Sequence, residues 1–260
     1  MDAVVLVGHG SLRQASGASM IRLAALLRKQ GVVQVATAGF LNFSQPTFAD
    51  AVTRCARKGA THIAVQPYFL ISGYYVKRVL PKLIAEAKAA HPQLTFSVAD
   101  AFEYHPALVQ MVLSRAAAVR TGARPERCCG LLLIAHGTPH PEANAPLYRV
   151  TEAIRERSDY TAVQLSFMEI NAPSIAEGVQ RLAGEGVEQV VAVPYFLQLG
   201  GHVAQDLPEA IERENAAYEG VDIMLADYLS YDPLLTEVIA ERLAPHLHLV
   251  HPGRALQPVE

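Results

Sequence analysis

Short runs of consecutive apolar residues alternate along the chain with longer stretches in which apolar positions recur every three or four residues. The runs are AVVLV (3–7), VVQVATAGF (32–40), HIAVQPYF (62–69) and LTFSVA (94–99), followed by LLLIA (131–135), AVQLSFM (162–168), QVVAVPYF (189–196) and DIMLA (222–226). Rich in β-branched residues and apolar at successive positions, they predict strands buried on both faces. The stretches between them predict amphipathic helices. Strand, helix, strand order requires right-handed parallel crossovers. The expected fold is therefore α/β, as two tandem sandwiches of about four parallel strands each.

The two sets of strands are copies. An offset of 127 residues carries His9-Gly10-Ser11 onto His136-Gly137-Thr138, and Phe40 and Pro46 onto Phe167 and Pro173. The same offset carries Pro67-Tyr68-Phe69-Leu70 onto Pro194-Tyr195-Phe196-Leu197, Gly73 onto Gly200 and Pro106 onto Pro233, with no gap. Solenoid repeats have periods of about 20 to 50 residues, so a period this long implies a duplicated folding unit. The expected domains are residues 1–124 and 125–246, with a junction near TGARPERCC and a tail over 247–260.

Composition narrows the class. With 51% apolar and 18% charged residues, the chain has the balance of an ordinary globular protein. MDAVVLVGHG has no basic segment ahead of its apolar run, so a cytoplasmic protein without a membrane segment is expected. Three cysteines, two of them adjacent, offer neither a disulfide framework nor a C-x-x-C cluster site, and free thiols are expected. A net charge of −3 gives no general attraction to nucleic acid. GHGSLRQASG misses the third glycine of a dinucleotide fingerprint, so no nucleotide is expected.

Candidate chemistry lies at the carboxyl ends of the strands, where parallel sheets bind ligands. His136 follows LLLIA, Glu169 follows the strand ending SFM, and His202 starts the helix after PYFL. Two imidazoles and a carboxylate suit a borderline divalent cation such as cobalt, iron, nickel or zinc. In the first copy the same positions are His9, Asn42 and Tyr75, so the frame is kept twice and the full donor set once. Tyr68 and Tyr195 fit core packing at a strand end and are also candidates for lining the cleft. His246, His248 and His251 fall in a segment expected to be an exposed tail.

LLLIAHGTPHPEANAPLYRV, SFMEINAPSIAEGV and VPYFLQLGGHVAQDLPEAI together resemble the sirohydrochlorin chelatases, the CbiX-like, ATP-independent enzymes that insert a divalent metal into a modified tetrapyrrole. The resemblance covers nearly the whole chain, in the long, two-copy form. It implies that His136 and His202 handle metal and protons, with Glu169 beside them. It implies Co²⁺, Fe²⁺ or Ni²⁺ as a substrate metal, with no iron–sulfur cluster. It further implies a cytoplasmic monomer, an internal pseudo-dimer, with its tetrapyrrole between the repeats. The chain departs from the pattern at Tyr75, where the long form keeps a histidine.

The chemistry suits those residues. Metal insertion displaces two pyrrolic protons, and neutral imidazole, with an ordinary pKa of about 6.5, is both a ligand and a base. Substrate contacts are expected from His9, Tyr75 and Tyr195, and from Lys77 and Arg78, which replace Ala204 and Gln205 and would anchor the carboxylates of an acidic macrocycle. The rival reading is a carrier that binds metal or tetrapyrrole without turnover. A histidine phosphatase fits less well, because Gly8 and Ala135 precede the His-Gly dipeptides where that chemistry uses arginine.

Overall fold

The computed structural model describes residues 1–11, 17–120 and 128–248, and the backbone but not the side chain of His202. Residues 121–127 of the junction and the tail from 249, His251 included, lie outside the described residues. The eight runs form eight strands: β1 (Asp2–Gly8), β2 (Val35–Phe40), β3 (His62–Pro67), β4 (Thr95–Val98), β5 (Cys129–Ala135), β6 (Ala162–Phe167), β7 (Gln189–Pro194) and β8 (Asp222–Leu225). They make two separate four-stranded sheets, ordered β2-β1-β3-β4 and β6-β5-β7-β8. Every ladder is parallel. In each sheet the strand that comes first in sequence lies inside, and all seven residues of β1 and of β5 are buried.

Burial on both faces fails at one edge of each sheet. In β4 Thr95 and Val98 are exposed, as is Asp222 in β8. The opposite edge strands, β2 and β6, stay almost wholly buried, so the exposure belongs to this one edge and not to edge strands as such.

The helices follow the apolar spacing. In the first unit α2 (Phe48–Arg57) and α3 (Leu80–Ala90) place Phe48, Val52, Cys55, Leu80 and Ala87 against Ala3, Val5 and Val7 of β1. In the second, α6 (Ile175–Gly184) and α7 (Leu207–Ala217) place Ile175, Val179, Leu182, Leu207 and Ile211 against Leu132 and Ile134 of β5. Each Val, Leu, Ile or Phe side chain among them contributes about 1.5–3 kcal/mol when fully buried. α2 and α6 both start with a capping box, Thr47 with Asp50 and Ser174 with Glu177, so the duplication extends to the loops. α1 (Ala18–Lys29) and α5 (Ala145–Arg157) complete the crossovers after β1 and β5.

The last helix of each repeat does not pack on the sheet that precedes it. α4 (Pro106–Arg120) follows β4 but packs on β7, β8 and α5, while α8 (Leu235–Leu243) follows β8 but packs on β3 and α1. The compact units are thus Met1–Phe102 with the chain from Leu235, and Glu103–Leu234. One arginine pins each exchanged helix. Arg115 of α4 donates to the carbonyls of Tyr228 (3.3 Å) and Leu229 (2.8 Å) and pairs with Asp232 at 3.1 Å. Arg242 of α8 donates to the carbonyls of Ala101 (3.4 Å) and Phe102 (2.9 Å). These are the same positions one repeat apart.

The segment expected as an exposed tail is held as far as His248. The His246 carbonyl accepts from His62 Nε2 at 3.1 Å, and the His248 ring stands edge-on to His62 with centroids 4.6 Å apart. The His248 N–H donates to Asp2 at 2.5 Å. Burial raises the Asp2 pKa, but hydrogen bonds from His248 outweigh it, and the carboxyl sits below its ordinary range. Cys55 and Cys129 are buried, Cys128 is exposed, and all three are free thiols. Among the described residues no helix is long and apolar enough to cross a membrane.

Candidate functional site

In each sheet order the chain turns away in opposite directions from the two inner strands, which makes their carboxyl ends a topological switch point. His9 and His136 leave β1 and β5 there, and β3 and β7 lead to Tyr75 and His202. Tyr75 and His202 each open a π-helical turn, Tyr75–Val79 and His202–Asp206, a local widening often found at functional positions.

In the second unit the His-Gly dipeptide builds the site. Gly137 has φ +93°, and a Cβ there would lie 2.4 Å from the Glu169 carbonyl oxygen. Only glycine allows that approach. It lets the Glu169 N–H donate to the His136 carbonyl at 3.2 Å, joining the loop after β6 to the loop after β5. Asn171 fixes the same corner, its Oδ1 accepting from the Thr138 N–H at 2.7 Å and from Asn144 Nδ2 at 3.0 Å.

His136 Nδ1 lies 3.2 Å from the Gly137 carbonyl. A carbonyl only accepts, so in the neutral ring Nδ1 holds the proton and Nε2 the lone pair. Nε2 faces the Glu169 carboxylate at 4.0 Å, with the two side chains 41% and 52% exposed. A base or ligand nitrogen and a carboxylate oxygen therefore share a solvent-reached edge. Among the described residues no group of three or more His, Cys, Asp or Glu side chains is placed to hold a metal ion. The third expected member, the His202 side chain, lies outside the described residues.

The first unit repeats the frame with different chemistry. Gly10 has φ +84°, and a Cβ there would lie 1.9 Å from the Asn42 carbonyl oxygen. Ser44 takes the place of Asn171, accepting from the Ser11 N–H at 2.9 Å. His9 Nδ1 lies 2.9 Å from the Gly10 carbonyl, but its Nε2 is met by the Tyr75 hydroxyl at 2.7 Å. Asn42 stands where the other copy has Glu169.

The remaining expected site residues lie in varied settings. Lys77 and Arg78 are exposed, within the π-helical turn. Tyr195 is 2% exposed and packs in the core of the second unit. Its buried hydroxyl has no hydrogen-bond partner among the described residues. Burial and the nearby Glu103 carboxylate push its pKa well up.

Phe43 and Ile170, which the spacing of polar donors does not single out, stand at equivalent positions. Both occupy left-handed backbone, at φ 58° and 68°, and are 66% and 59% exposed. The signal is present in LNFSQP and MEINAP, where Phe43 and Ile170 recur at equivalent positions, each with a polar residue on either side.

These features define a class: duplicated parallel α/β proteins with an imidazole and a carboxylate at the switch point of one copy. The CbiX family profile matches residues 3–119 and again 130–246, and the chain belongs to that family. A sirohydrochlorin cobaltochelatase of Priestia megaterium is 28% identical over 243 residues, covering 93% of this chain and 79% of its own. A sirohydrochlorin ferrochelatase of the same organism is 22% identical over 243 residues, covering 94% and 90%. SirB from Bacillus subtilis, solved with Fe³⁺, shares the fold with a TM-score of 0.76 at 23% identity, covering 94% of both chains.

Proposed function

We propose that this protein is an ATP-independent chelatase that inserts a divalent metal, cobalt or iron, into sirohydrochlorin or a closely related modified tetrapyrrole. Membership of the CbiX family and the cobalto- and ferrochelatase relatives support the reaction class. The observation that carries the site is the His136–Glu169 pair, with Nδ1 held by the Gly137 carbonyl and Nε2 turned to the carboxylate.

Insertion exchanges one M²⁺ for two pyrrolic protons, so the site must release a metal and take up protons. His136 Nε2 supplies a neutral ligand and then a proton acceptor, and Glu169 balances the cation and accepts the second proton. Their half-exposed setting keeps metal exchange fast. His202, the first residue of the π-helical turn that follows β7, is the third member of the set. Lys77 and Arg78 hold the acidic rim of the macrocycle, Arg78 through its bidentate fork. Nickel fits the same donors. Three free thiols suit a cytoplasmic setting, and the internal duplication suits a monomer.

The test is an anaerobic absorbance assay with purified protein, sirohydrochlorin and Co²⁺ or Fe²⁺. Metallation should run well above the uncatalysed rate, and His136→Ala should reduce it by about a hundredfold or more while leaving the fold intact. Binding of both ligands at the uncatalysed rate would instead make the protein a carrier.

A further inference from the structure

The first unit is not merely a worn copy of the second. Its His9 imidazole has a proton on Nδ1, fixed by the Gly10 carbonyl at 2.9 Å, and a lone pair on Nε2 that the Tyr75 hydroxyl occupies at 2.7 Å. The electron pair a cation would use is engaged by a hydrogen bond. The position equivalent to Glu169 is Asn42, which brings no charge.

What the unit has instead is rings. Tyr75 stacks on Phe69 at 6.1 Å and 14° and meets His9 edge-on at 4.5 Å. Tyr74 stands against Tyr75 at 5.7 Å, and Phe43 against His9 at 5.9 Å. The outer two rings face water, Phe43 at 66% and Tyr74 at 55% exposed. A single exposed aromatic means little. Here, however, Phe43 is held at φ 58°, a conformation that bulky residues avoid and that tends to be retained at functional sites. Its counterpart Ile170 is equally strained and exposed. Both copies therefore keep an exposed apolar side chain at this point, but the other positions diverge: Tyr74 and Tyr75 correspond to Gly201 and His202.

We propose that the carboxyl-end face of the first unit is a ring-binding, metal-excluding site. Phe43, Tyr74 and the Phe69–Tyr75 stack receive the face of a planar conjugated macrocycle, and the Tyr75 hydroxyl keeps divalent cations off His9. The identity of the macrocycle as a tetrapyrrole rests on the chelatase reading. The site itself requires only a flat, polarisable ring, whether free base or already metallated. Tyr75 is on this account a specificity-determining residue, its hydroxyl engaging the His9 lone pair while Asn42 supplies no charge in place of a carboxylate.

Two measurements on the full chain test the proposal, neither involving turnover. In the first, uroporphyrin, metal-free and fluorescent, is titrated into the protein without metal. Phe43→Ala combined with Tyr74→Ala should weaken binding by about tenfold, the scale of lost aromatic contacts, whereas Tyr75→Phe, which keeps the stack, should change it less than about twofold. In the second, Co²⁺ stoichiometry is measured by titration calorimetry. Tyr75→His combined with Asn42→Glu, which copies the other unit's donors, should add one equivalent to the wild-type count. Unchanged porphyrin affinity in the Phe43/Tyr74 variant would overturn the ring site, and an unchanged Co²⁺ count in the donor-swapped variant, with folding confirmed by circular dichroism, would overturn the role of Tyr75. Failure of the wild-type protein to insert metal would sink the chelatase reading and leave both of these results intact.

Discussion

Gly137 has a Glu169 carbonyl where a methyl group would go, and it also sits at positive φ, so two separate demands fall on one residue. Gly186 shares only the second, with φ +79° and nothing within 4 Å of its would-be Cβ. The two can be separated by substitution. Gly186→Ala should lose only about 1–2 kcal/mol of stability to backbone strain, with Co²⁺ affinity unchanged. Gly137→Ala should lose at least as much and also weaken Co²⁺ binding, because it forces the Glu169 loop away from His136. Denaturant midpoints and a Co²⁺ titration check both; equal metal affinity in the two variants would contradict the role given to the close approach. The His-Gly dipeptides were legible in the sequence because the offset of 127 residues brings both into register. The Tyr75 hydrogen bond to His9 was not, since a contact across 66 residues leaves no periodic trace. Tyr195 shows the opposite difficulty. A tyrosine at a strand end suits a cleft and a core equally well, and here the core holds it.

Among the elements, the π-helical turn Tyr75–Val79 presents Lys77 and Arg78 to solvent. Lys77→Ala combined with Arg78→Ala should raise the apparent KM for sirohydrochlorin and flatten its salt dependence while the maximal rate changes little. A lower maximal rate at unchanged KM would remove both residues from substrate binding. The inner strands were readable from composition alone because burial on two faces leaves them few polar positions, as in β1 and β5. Edge strands β4 and β8 and the π-helical turns were less so. The former carry exposed positions within their apolar runs, and the latter differ from an ordinary helix start by a local widening that side-chain spacing does not encode.

For the whole molecule, the duplication was plain from the sequence, but the destination of α4 and α8 was not. An amphipathic helix records that it has an apolar face and not which of two near-identical sheets will cover it. Arg115 and Arg242 fix the choice through carbonyls of the units they join. The exchange has a consequence for how such a chain could exist at half its length. A polypeptide holding only the first repeat would have a sheet lacking one helix and a helix lacking a sheet, and the missing piece would be the very piece on offer. Two such polypeptides would satisfy each other reciprocally, a closed and self-limiting arrangement. Expressed alone, residues 1–120 should therefore sediment as a dimer at micromolar concentration and come apart and unfold together on dilution, and Arg115→Ala should shift that transition to higher concentration.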